Sequence, residues 1–545
     1  MKLYHYLLLF ILISSCSKDD DIITIPVEKI KINATSITNE NTYSFELNGS
    51  FTNDKKIKII ESGFIIDTIS EPNLNKKMVK VLSANDNNTL KSTIANLIAN
   101  KKLFIKSYIK TESNIYYGDQ LIHTTLKDNP YYLTEKKTIS TQAELLEFTS
   151  HHYTSIIKKA WIAEFKITGT VTDLSSLKDL EIIEAESFSI TNSLVTNLSG
   201  LENLQSINGF LDIRLNQNLL DLKGLDNLQI CKGDLYIKSN NNLKNFNSLN
   251  KLFAIWGTLI IEDNKSLENF NGLNKLKFLY GISITSNPKL KNLTGLGSLE
   301  TIAWESFYIM YNESLESLTG LNSLKKVGQL QIDGNQNLKN LKGLENIENI
   351  SFYINIHNNP NLIDLNGLSN LKTTEYLSIK NNPNLLSLTG LNDAVVIDYL
   401  FIENNYNLKN LTKIGNVKSK IKIEYNNNLL SLEGLQNVQT LTGSLDEGEL
   451  SIIYNNSLKN LKGLEGLRNV YGYRISIYRN ENLTSLDGLE KFENTSRTNF
   501  FSINDNSQLS NFCALKNYLS KTGFSLNLYD NQSNPTTQTI LNTCP

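Results

Sequence analysis

The chain is predicted to be all-β, a parallel β-solenoid preceded by a small antiparallel β-sandwich. Three observations predict this. A single phrase recurs through most of the 545 residues, and residues 312–335 show it whole: N-x-x-L-x-x-L-x-G-L-x-x-L, then G-x-L-x-I-x-x-N. The Gly of L-x-G-L returns at Gly200, Gly224, Gly272, Gly295, Gly320, Gly343, Gly367, Gly390, Gly434, Gly463 and Gly488, with Ser176, Ser248 and Lys413 in the same slot of the remaining units, a mean period of 24 residues. A fixed period of this size is the signature of a solenoid, in which each unit contacts only its neighbours. The third observation is a change of grammar: residues 27–126 lack the period and read as short alternating runs between polar turns.

The amino terminus reads as an export signal. Lys2 supplies the positive start, and the apolar run over residues 3–13 is too short to span a bilayer as a helix. Ile13-Ser14-Ser15-Cys16 then resembles a bacterial lipobox. The resemblance implies a signal peptide over residues 1–15, cleavage before Cys16, and acylation of that cysteine as a membrane anchor. The acidic Ser17-Lys18-Asp19-Asp20-Asp21 stretch sits in a tether over residues 16–26. It is similar to the tag that follows the lipid cysteine in bacteroidete-type surface lipoproteins. That similarity implies an outer-membrane location facing the cell exterior.

Within 27–126, strands are expected at residues 30–37, 43–51, 57–66, 78–82 and 103–109, the pattern of a β-sandwich. The stretch 97–110, with Tyr116-Tyr117-Gly118 and Thr124-Thr125, resembles the end of a fibronectin type III module. Ala99 and Leu103 stand where that family carries Pro and Tyr, which puts its tyrosine corner in question. No site chemistry is visible in this module, so a spacer that lifts the array off the membrane is expected, with weak glycan contact as the alternative.

Residues 127–139 are expected as a linker, and 140–515 as the solenoid. Its amino-terminal cap is a short helix over residues 141–150, with Leu145, Leu146 and Phe148 available for burial. In each unit a Leu, Ile or Phe and then an Ile alternate with outward residues, as in a half-buried strand. An Asn follows three residues after the Ile: Asn216, Asn240, Asn264, Asn287, Asn312, Asn335, Asn359, Asn382, Asn405, Asn426, Asn455, Asn480 and Asn506. Stacked Asn side chains can satisfy the backbone groups that a strand-ending turn leaves unpaired, so these thirteen form a candidate structural ladder. The L-x-G-L Gly implies positive φ or close approach, which makes Lys413 a mildly strained occupant of that slot.

The period and the full phrase resemble the receptor L domain, the leucine-rich-repeat-like solenoid of growth-factor and insulin receptor ectodomains and of many bacterial surface proteins. The resemblance covers about residues 140–515 and carries no individual binding residue across. Residues 516–545 are expected as a carboxy-terminal cap. An exported chain meets an oxidising compartment, so a Cys513–Cys544 disulfide is expected to fasten it. Cys231 shares a slot with Ile207 and Ile255 and is expected as a buried free thiol.

Function must be read from the outward slots. Tyr353, Tyr376 and Tyr399 occupy the same slot in three successive units and should stack as a column. Phe401 and Tyr308 fall on the same face, with His357, Lys380 and Glu403 in an adjacent column. Exposed aromatics with flanking charge suit a sugar ring or a protein hot spot; a ladder that only stiffens the sheet is the alternative. A longer unit adds residues at 442–448, a second candidate. With a net charge of −2 and no basic run, no nucleic-acid partner is expected. No Ser/His/Asp order, Walker loop, HExxH, CxxC pair or EF-hand loop is present, and the His151-His152 pair has no third ligand nearby in sequence, so neither catalysis, a metal nor a cofactor is expected. The leading reading is a non-catalytic recognition or adhesion scaffold for a protein or glycan ligand. The alternatives are a structural envelope or matrix component without a discrete ligand, and a carbohydrate-active β-helix enzyme.

Overall fold

The computed structural model describes residues 30–545 except 39, 41–43, 55, 75–78, 83, 87, 96–100, 126–129, 151–152, 159–162, 304–305, 444–447, 494–499 and 523–525. Cys16, the signal and tether over residues 1–26, the His151-His152 pair and the middle of the 442–448 segment lie outside the described residues. The chain divides into two compact units, Met1–Asp128 and Asn129–Pro545.

The first unit holds two five-stranded antiparallel sheets. Phe45, Leu47, Phe64 and Ile105, fully buried, come from both sheets and fill one core between them. Alternation explains this. Strand Lys102–Thr111 buries Leu103, Ile105 and Ser107 while turning the residues between them outward. Tyr108 is fully buried as well and donates its hydroxyl to Glu61 at 2.8 Å. The sequence reading passed over strand Thr89–Ala95, whose Leu90 is an inward residue of the same core.

The second unit is a parallel solenoid of about 16 turns. Seven apolar side chains of a typical coil are completely buried: Leu338, Leu341, Leu344, Ile347, Ile350, Ile354 and Ile356. Most coils present two strand segments in succession. In one coil these are Lys326–Val327 and Gln329–Asp333; in the next they fuse into Asn349–His357, with a register shift between Ile350 and Tyr353. At the far end of the strand the chain bends through one left-handed residue per coil, such as Tyr311 (φ 56°) or Asn358 (φ 55°), and enters the ladder Asn. A non-glycine residue there costs roughly 1–2 kcal/mol, and the ladder's hydrogen bonds hold it.

The ladder is continuous. Asn312 donates its backbone N–H to Asn335 Oδ1 at 3.1 Å, and its Nδ2 donates to Ile284 O at 2.9 Å and Met310 O at 3.0 Å. The same pattern runs from Asn216 to Asn506, every member fully buried. It extends one step further than the sequence reading placed it: Asn506 donates to Asn531 Oδ1 at 3.1 Å. The L-x-G-L turn has positive φ as expected. At Gly343 (φ 116°) a Cβ would lie 2.0 Å from Leu318 O, so only glycine fits without a shift. Lys413 in that slot adopts φ 80° and pairs its ammonium with Asp393 at 2.8 Å.

Two boundaries need correction. Residues 130–139 are not a linker: Pro130–Leu133 and Lys137–Ile139 are the first strands of the parallel sheet, paired with Ser155–Lys158 and Glu164–Ile167. Helix Gln142–Thr149 therefore lies within the first coil rather than ahead of it. Thr141 caps it, accepting from Glu144 N at 3.2 Å, and the Glu144 carboxylate accepts from Ser140 N at 2.7 Å. Leu145 and Phe148 are buried, but Leu146 faces outward, because an eight-residue helix on a sheet end hides only one face. At the other end Phe492, Phe501 and Tyr518 close the core, strand Asn527–Tyr529 adds a last rung, and the disulfide Cys513–Cys544 joins two points 31 residues apart. Cys231 is a buried free thiol whose pKa burial pushes up to about 12.

Candidate ligand-binding face

Strand pairing turns outward slots into columns across coils. Tyr353, Tyr376 and Tyr399 are direct neighbours in register, and the column continues through Lys420 and Glu449. A second column runs Tyr308, Gln331, Asn355, Ser378, Phe401, Lys422. A third runs Met310, Asp333, His357, Lys380, Glu403, Glu424. All the singled-out residues therefore share one face.

Their side chains do not form one uniform stack. Tyr376 and Tyr399 lie face to face with centroids 4.3 Å apart and planes 9° off parallel. Tyr353 instead turns to Tyr308, hydroxyl to hydroxyl at 3.3 Å. Burial, reinforced by that hydrogen bond, pushes the Tyr353 pKa up to about 12. Phe401 sits between cations: the Lys422 and Lys380 ammoniums are 5.9 Å and 6.0 Å from its ring centre, and Lys420 is 5.7 Å from that of Tyr399. Such contacts contribute roughly 0.5–1 kcal/mol where exposed.

The lysines are also fixed by carboxylates, Lys380 to Glu403 at 2.9 Å and Lys422 to Glu449 at 3.1 Å. The Glu449 carboxylate is itself nearly buried, its side chain 7% exposed. His357 shares a hydrogen bond with Ser378 Oγ at 2.9 Å, and burial holds its pKa below the usual imidazole value. The arrangement is thus half-buried, held on its sides, and aromatic at its centre. It offers ring faces and oriented charges. Among the described residues, no group of three His, Cys, Asp or Glu could hold a metal ion.

The sequence reading missed a second aromatic group, in the left-handed slot just before the ladder. Tyr425 and Tyr454 stack at 4.7 Å, Tyr478 meets Tyr454 edge-on at 5.9 Å, and the Arg479 guanidinium lies 5.5 Å and 5.0 Å from the Tyr454 and Tyr478 rings. The available signal was the residue preceding each ladder Asn, which is Tyr in both of these coils. Of the 442–448 segment, Thr442 is tied by its carbonyl to Ser419 Oγ at 2.9 Å. No family model matches the chain, and searches of curated proteins and of solved structures return no match.

Proposed function

We propose that the protein is a non-catalytic recognition or adhesion scaffold, held at the outer membrane by acylated Cys16 and facing the cell exterior, that binds a protein or glycan ligand through the solenoid's strand face. The observation that carries the reading is the register that brings Tyr353, Tyr376, Tyr399, Tyr308 and Phe401 to one face and sets Lys380, Lys420 and Lys422 around them. Aromatic side chains with an apolar body and oriented charge beside them are the usual anchors of protein and sugar recognition. Scaffold residues cannot supply specificity, because Leu, Ile, Gly and Asn are occupied by the core and the ladder.

Replacing Tyr353, Tyr376 and Tyr399 together by Ala should abolish binding to cells, matrix or a glycan array while leaving the fold intact by circular dichroism. Unchanged binding would remove this face from consideration. The stacked Tyr376–Tyr399 pair favours one other reading, a structural element whose rings only stiffen the sheet; loss of thermal stability in the triple variant with no ligand lost anywhere would select it. For the anchor, Cys16→Ala should release the protein from membranes, and protease shaving of intact cells should cut the unaltered chain. Full protection would place it on the periplasmic side.

A further inference from the structure

We infer that a second ligand site lies at the amino-terminal end of the strand face, a trough shaped for an acidic pyranoside. The strand Ser187–Thr191 turns Phe188 and Ile190 inward, so its outward residues are Ser187, Ser189 and Thr191, all small hydroxyls. Its neighbours in the sheet are larger: Glu164–Ile167 on one side and Phe210–Arg214 on the other. At about 4.8 Å between strands, the low row leaves a gap of roughly 10 Å between its two flanks, the scale of a sugar ring. The resulting cavity is about 620 Å³, within the range of small-molecule sites.

The lining matches a sugar more closely than an apolar or purely ionic ligand. Ser189 and Thr191 are only 8% and 6% exposed. With Ser187, they make no side-chain hydrogen bond among the described residues, so they line a polar floor that a polyhydroxyl ligand can complete. On the taller wall Arg214 is clamped to Asp212, Nε lying 2.8 Å and 2.7 Å from the two carboxylate oxygens, and Asp212 is buried. The guanidinium is thereby preorganised, and its position costs a ligand little. Phe210, 36% exposed, offers a ring for a pyranose face.

Charge selects the sugar. Asp212 is neutralised by Arg214, and Glu164 by Lys136 at 3.0 Å. Lys166, in the same column as Ser189 and Asp212, has no carboxylate within ion-pair distance among the described residues. The trough therefore carries one unmatched cation beside a hydroxyl floor and an aromatic wall, which is the complement of a uronate. The site is many coils from the tyrosine column and does not depend on it.

The test is calorimetric titration of the full chain with tetrasaccharides of galacturonate, glucuronate and mannuronate, and with galactose tetrasaccharide as the neutral reference. At least one uronate should bind ten times or more tighter than the neutral sugar. Phe210→Ala should weaken that binding at least tenfold, Lys166→Gln should erase the preference over the neutral sugar, and Ser189→Asn, which fills the floor, should block binding. The variants' melting temperatures check that they fold. No binding across the panel overturns the proposal, as does equal or tighter binding of the neutral sugar. Binding that survives Phe210→Ala and Ser189→Asn but is lost in the triple tyrosine variant also overturns it, while leaving the proposed function standing.

Discussion

Single side chains in this molecule divide into those consumed by the scaffold and those left to the surface, and two substitutions separate the classes by size of effect. Asn335 accepts from Asn312 N at 3.1 Å and donates to Ile309 O at 2.9 Å. Asn335→Ala would orphan both buried groups, each worth roughly 1–3 kcal/mol. The expected destabilisation is about 2–5 kcal/mol by denaturant titration, whereas the neighbouring exposed Gln336→Ala should change stability by about 0.5 kcal/mol or less. Equal effects would mean that the ladder is decorative. His357 gives a pH signature. Burial is the main cause of its lowered pKa, Lys380 adds to it, and the Asp333 and Glu403 carboxylates oppose it. In the unfolded chain the imidazole returns to about 6.5, so between the folded pKa and 6.5 the unfolded state binds more protons than the folded one. Its contribution to stability is therefore complete above about pH 6.5 and is lost as pH falls through that window. His357→Gln should flatten this part of the stability–pH curve. An unchanged slope in that variant would show that the proton goes elsewhere.

At the scale of elements, the inward face was legible because its physics is periodic. Leu330 and Ile332 alternate with outward residues and are followed by Asn335, and that pattern admits one register. The same logic fails at both ends. Residues 130–139 form two paired strands, yet they carry neither the L-x-G-L turn nor a ladder Asn, so nothing in their sequence repeats. Asn531 joins the ladder behind a three-residue strand, Asn527–Tyr529, whose coil puts Ala514 in the Gly slot, helix Lys516–Thr522 ahead of the strand and Leu528 where the other coils carry Ile. End coils are covered on one side only by an irregular cap, so they are free of the constraint that makes interior coils alike. The candidate face was legible as columns, since register follows from the repeat. Its side-chain arrangement was not. Tyr353 leaves the stack for Tyr308, and Ser187, Ser189 and Thr191 open a trough, because rotamers and low spots depend on which neighbours are large. The paired glutamates were equally hidden: Glu449 fixes Lys422 from a coil whose preceding insertion disrupts the period.

At the scale of the whole molecule, the described residues form two hydrophobic cores that share no residue: one runs from Ile30 to Ile109, the other from Leu133 to Cys544. Each has its own closed set of sheets, so each can unfold without exposing the other's interior. The disulfide belongs to the second core alone, where it ties the 3₁₀ turn Cys513–Leu515 to the end of helix Thr537–Thr543. In the chain-entropy model a loop of this length contributes roughly 3–4 kcal/mol, concentrated at the last coils, where fraying would otherwise begin. Interior coils are sealed on both sides; the terminal coil depends on Phe512, Leu515 and Tyr518 staying in place over Phe492 and Phe501. Scanning calorimetry of the intact chain should show two transitions. Reduction with dithiothreitol should lower the one belonging to the solenoid, or broaden it as the array frays from its carboxy-terminal end, and leave the sandwich transition where it was. Limited proteolysis of the reduced protein should then cut first after Phe492. A single transition that shifts as a whole on reduction would mean that the two cores stand or fall together, and the account of the cap as a local clamp would be wrong.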